Sequence, residues 1–176
     1  MPPRSYVARL GLGIALAAIP ATAFAHPGHG IAQGFSSGFV HPLQGLDHLI
    51  AMVAVGMIAA RMGDRALWAL PAAFLSMLAL GGFLGMQGRV LPYAETSIVL
   101  SLAVFGLALL FDWRVPAIAA AVVAGLFAIS HGYVHGIEIA AGSQWGAYAS
   151  GFMLAAALLI VAGIGLGLQE RSLRRA

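Results

Sequence analysis

The 176-residue chain has no cysteine and no lysine, and only 9% of its residues are charged. Without cysteine there is no disulfide scaffold, thiolate zinc site, iron–sulfur cluster or cysteine nucleophile. Soluble domains carry about 25% charged residues. Here charge is scarce and 61% of the residues are hydrophobic, which points to a membrane protein. Nine arginines against six acids give a net charge of +3, but they form no basic patch, so a nucleic-acid partner is not expected. The chain is too short to hold a large catalytic domain beside several membrane spans.

The amino terminus reads as a cleavable signal peptide over residues 1–25. Arg4 and Arg9 form a positive start, Leu10 to Ile19 a short apolar run, and Ala23-Phe24-Ala25 a small-residue cleavage site. The alternative is an uncleaved first span, but the apolar run is shorter than the roughly 20 residues a span needs. Cleavage leaves seven arginines against six acids, so most of the positive excess is a targeting feature.

A His/Gly-rich extracytoplasmic segment is expected over 26–38, a helical bundle over 39–168 and a basic cytoplasmic tail over 169–176. The fold class is all-α, a polytopic bundle of five transmembrane helices at about 39–60, 66–86, 91–111, 115–137 and 146–168. None of these segments has the polar face that an outer helix of a soluble bundle would need. Orientation follows the arginines. With the mature amino terminus outside, Arg61, Arg65, Arg114, Arg171, Arg174 and Arg175 lie inside and Arg89 outside. The expected location is the bacterial inner membrane, with a periplasmic amino terminus and a cytoplasmic carboxyl terminus. Trp68 and Trp113 fall at inner boundaries, and Tyr93, Tyr133, Trp145 and Tyr148 near outer ones. Nothing in the sequence sets an oligomeric state.

Ionisable side chains at membrane depth are costly and mark function by default. They occur in HPLQGLDH (His41, Asp47, His48), in SHGYVHGIE (His131, His135, Glu138) and at Glu95. His131, His135 and Glu138 stand at i, i+4 and i+7, on one helix face. His41 and His48, seven apart, are expected on one face as well. Pro42 complicates this, because a helix beginning at Pro42 would leave His41 just outside it. Asp47 could ligate the same ion as the histidines or orient a histidine on a neighbouring helix. Helix parity puts all three groups in one half of the membrane, whichever way the chain is inserted.

Four imidazoles with up to three carboxylates suit nickel, cobalt, copper(II) or zinc, and the absence of sulfur disfavours copper(I). The competing structural reading is that these groups only hydrogen-bond the helices together. Gly132 and Gly136 either allow another helix to approach or loosen their own helix so that carbonyls face an ion. The pairs Gly81/Gly85 and Gly163/Gly167 read as close-packing glycines. His26 and His29 form a possible additional capture site with the mature amino terminus, set against a plain mobile linker. Ser76 and Ser101 are the polar exceptions in an otherwise apolar inner half.

HPLQGLDH and HGYVHGIE together resemble the two signature motifs of the HupE/UreJ family, small membrane permeases associated with nickel supply to hydrogenase and urease, with some members linked to cobalt. The resemblance extends to the leader, the HPGHG start of the mature chain and the run of short spans. It implies roles for His41, Asp47 and His48 in the first motif and for His131, His135 and Glu138 in the second. Ser130 stands where the family pattern often has phenylalanine, an apolar position that is no obvious ligand. Nothing carries over to Glu95.

The expected function is therefore a divalent-metal permease carrying nickel(II) or cobalt(II), with no prosthetic group and no enzymatic activity. Its partners are the metal ion and the lipid bilayer. The alternative is an intramembrane zinc-dependent hydrolase with Glu138 or Glu95 as general base, although no HExxH or GxSxG motif is present. A third reading, a metal sensor or assembly factor, lacks any sizeable soluble domain to signal through.

Overall fold

Six helices follow one another in a computed structural model that describes residues 34–139 and 144–174. They are α1 (Phe35–Gln44), α2 (Leu46–Met62), α3 (Ala66–Met86), α4 (Ala94–Leu110), α5 (Ala117–Glu138) and α6 (Trp145–Leu173). No strand occurs among the described residues. The expected signal peptide, together with His26 and His29, lies outside them.

The first expected span is not one continuous helix. Its two halves, α1 and α2, meet at an 84° bend. The break is Gly45, whose φ of −93° and ψ of 110° are extended rather than helical. Pro42 sits inside α1 and does not start a helix there. It has no N–H to return to the preceding turn, and the helix runs only two residues past it. His41 therefore lies within α1, and His48 lies on α2, so the single shared face expected for them is replaced by two helices that converge.

Three helices, α3, α5 and α6, are long and apolar enough to cross a bilayer, and the bent pair α1–α2 makes up to a fourth span. α4 is a shorter apolar helix of 17 residues. The large apolar side chains of the bundle divide between a buried core and an outer surface. Leu70, Phe74 and Leu78 of α3 are buried, whereas Leu80 and Phe83 are exposed. The same division on α5 leaves Ile118, Val122 and Leu126 facing outward. In water such a surface would be a liability, but in lipid it is the ordinary exterior.

Glycine brings the helices together, since association in a bilayer depends on close packing. A Cβ at Gly132 would collide with the Leu78 carbonyl oxygen, and one at Gly136 with that of Gly82. The reciprocal positions on α3, Gly81 and Gly85, meet the carbonyls of Ile129 and Tyr133. Gly132 and Gly136 are thus packing glycines, which decides between the two roles open to them. Gly56 on α2 and Gly163 on α6 form a second such contact, and Gly38 on α1 and Gly151 on α6 a third. α6 continues as helix through Leu173, past the expected end of the last span at 168. At that end Glu170 takes an ion pair from Arg61 Nη2 at 2.6 Å and another from Arg174, and Arg171 Nη1 donates to the Ala60 carbonyl at 2.7 Å.

Candidate metal centre

Three helices deliver the histidines to one place. α1 brings His41, α2 brings His48 in its first turn, and α5 brings His131 and His135 one turn apart. The close contact of α5 with α3 through Gly132 and Gly136 turns the face bearing His131 and His135 toward the core, where both are buried.

The rings form a file. Glu138 Oε2 lies 3.5 Å from His41 Nε2 and 3.6 Å from His135 Nδ1. His41 and His135 have ring centroids 4.6 Å apart, His135 and His48 4.2 Å, and His48 and His131 4.9 Å. Exposure falls along this order. The Glu138 side chain is 48% exposed, His41 19%, His135 9% and His48 8%. His131 is wholly buried. The file thus opens at the Glu138 end and closes at His131.

Its outer part is suited to an ion. His41, His135 and Glu138 can each offer one ligand atom, all within 4.8 Å of one another. Two imidazoles and a carboxylate are a borderline-soft set, fitting for nickel, cobalt or zinc rather than for calcium or magnesium.

Asp47 does not belong to that trio. Its Oδ1 accepts from His48 Nδ1 at 2.8 Å and from the His48 backbone N–H at 2.9 Å. These contacts are with its sequence neighbour rather than with a histidine on another helix. Gly45 leaves room for the arrangement, since a Cβ there would lie 3.0 Å from Asp47 Oδ1 and 3.2 Å from His48 Nδ1. A carboxylate on one nitrogen of an imidazole fixes the proton there and leaves the other nitrogen's lone pair for a cation. That other atom, His48 Nε2, is buried without a hydrogen-bond partner.

Several residues that the motifs do not contain complete the site. Ser101 of α4 is fully buried, and its Oγ lies 2.9 Å from His131 Nε2. Ser101 thereby ends the histidine file. Tyr148 is buried, with its ring 5.9 Å from that of His41. Phe152, one turn on, packs 4.6 Å from His135, and Phe74 lies 6.1 Å from His131. The aromatic pair at i, i+4 on α6 was the available sequence signal for this wall. Glu95, exposed in the first turn of α4, is not part of the His41–His135–Glu138 group.

A family model described as HupE / UreJ protein matches residues 14–176. The chain belongs to the HupE/UreJ family. Protein HupE of Rhizobium leguminosarum bv. viciae is 46% identical over 154 residues, covering 87% of this chain and 80% of that protein. No solved structure matches. The two stretches by which the chain resembles the HupE/UreJ family, HPLQGLDH and HGYVHGIE, are the same two that supply the four rings, Asp47 and Glu138. With its apolar helices, this HupE/UreJ protein is a multi-pass membrane protein.

Proposed function

We propose that this protein is a divalent transition-metal permease of the bacterial inner membrane, carrying nickel(II) or cobalt(II) inward. The observation that carries the reading is the file of four imidazoles, drawn from three helices and graded from a half-exposed carboxylate to a fully buried ring. A static cross-link between helices has no need of such a gradient. A path that strips water from an ion step by step does.

In this reading His41, His135 and Glu138 collect the ion and replace part of its hydration shell. Glu138 offsets one charge while remaining in contact with water. The ion then moves to His48 and His131, exchanging ligands one at a time so that it is never bare in the apolar interior. Asp47 holds the His48 ring. In this reading the Glu138 end faces the periplasm, which the arginine distribution supports. The metal is the cargo, and the family resemblance links it to the maturation of hydrogenase or urease. No observation favours the zinc-hydrolase alternative.

The test is nickel accumulation by cells expressing His48→Ala or His131→Ala. Accumulation should fall to the level of cells lacking the protein. Unchanged accumulation at equal protein abundance would refute the reading.

A further inference from the structure

His131 is the most deeply buried ring of the file, and two hydrogen bonds decide where its proton sits. Ser101 Oγ lies 2.6 Å from the Ile98 carbonyl oxygen, one turn back on α4. A carbonyl only accepts, so the hydroxyl proton of Ser101 is committed to it. The same Oγ lies 2.9 Å from His131 Nε2. With the serine proton already used, this second bond requires an N–H on Nε2. A neutral His131 then carries its lone pair on Nδ1, which is buried and has no hydrogen-bond partner.

His48 arrives at the complementary state by a different route. Asp47 holds the proton on His48 Nδ1, leaving Nε2 as the lone-pair atom, again buried and without a hydrogen-bond partner. The two rings stand 4.9 Å apart between centroids and perpendicular to one another. Two acceptor-only nitrogens in adjoining buried rings have no donor to satisfy them. Leaving both unpaired costs free energy that a cation would recover.

We propose that Ser101 and Asp47 set the proton positions of His131 and His48 so that these two rings form an inner cation station, distinct from the outer one at His41, His135 and Glu138. The inner station contributes imidazole nitrogen and no carboxylate. It therefore accepts nickel(II), cobalt(II) or zinc(II) and rejects the hard, abundant magnesium and calcium ions. Ser101 is a positioning residue, acting on the ion only through His131. The inference deepens the permease reading and rests on it for the nature of the cargo.

The experiment uses the purified full chain labelled with 15N-histidine. Nitrogen NMR without metal should show His131 protonated at Nε2 and His48 at Nδ1. In Ser101→Ala, His131 should become a mixture of the two forms, and Ser101→Thr should restore the single one. Cobalt(II) titration, followed by its visible absorption in a His41→Ala/Glu138→Gln background, should give residual binding. Adding Ser101→Ala should weaken that binding about 10–100-fold, the usual cost of losing a residue that orients a ligand. A wild-type His131 protonated at Nδ1 would overturn the proposal, and that measurement needs no variant to fold. So would a Ser101→Ala chain with unchanged proton position and cobalt affinity. Neither readout involves transport. A wild type that moves no nickel but passes both tests would sink the permease reading and leave the inner station standing.

Discussion

In the permease reading Asp47 matters without touching the ion. Its carboxylate is 44% exposed, which would be a poor position for a ligand meant to be closed off from water, yet it grips both N–H groups of His48. Asp47→Ala should lower nickel affinity about 10–100-fold, as read by the nickel concentration at half-maximal uptake. Asp47→Asn, which keeps an acceptor oxygen, should recover part of it. The rings themselves set a pH dependence. In the permease reading each binds a metal only as neutral imidazole. Protonation removes the lone pair and adds a repelling charge, so uptake should weaken as the pH falls. Initial rates at constant free nickel between about pH 5 and pH 8 check this, and a flat profile would contradict it. The ligand types were legible in the sequence because histidine and acid stand out against an apolar background. Ser101 and Tyr148 were not, since a serine or tyrosine in such a helix carries no mark of which ring it meets.

At the level of the helices, the decisive features are a break and a set of close contacts. The long apolar helices were readable from length and hydropathy alone, as α3, α5 and α6 show. The break at Gly45 was not, because HPLQGLDH contains both a proline and a glycine, and local preference points first to proline. What the sequence leaves out is that Asp47 folds back over His48 and needs the space beside Gly45. The α3–α5 contact gives a sharper prediction. Gly132→Val would drive a side chain into the Leu78 carbonyl, a backbone atom that cannot rotate away. Overpacking typically costs about 1–3 kcal/mol, and with no side chain able to yield, the cost should lie at the upper end or beyond. The expected result is a large fall in detergent-resistant folded protein. Gly106→Ala, where nothing lies within 4 Å, should leave that measure unchanged.

For the whole molecule, the arrangement is open at one end and shut at the other. Below His131 the core consists of Met52, Val55, Leu70 and Phe105, with Ala121 and Ala124, all apolar. At the far end α2 and α6 are tied by Arg61 and Glu170 and by Arg171 with the Ala60 carbonyl. Arg61 is only 14% exposed and also donates to the Leu109 carbonyl, so the tie reaches α4 as well. A half-buried pair of this kind lies between the exposed and the buried limits. Glu170→Ala should therefore destabilise the bundle by about 1–2 kcal/mol, seen as a lower thermal midpoint in detergent. An unchanged midpoint would show that the tie contributes nothing to stability. The central claim is that the histidine file conducts a divalent ion, and nickel(II) uptake into proteoliposomes tests it most directly. Vesicles holding the wild-type protein should accumulate nickel saturably, and vesicles holding an equal amount of folded His131→Ala should not. Equal accumulation by the two would contradict the account.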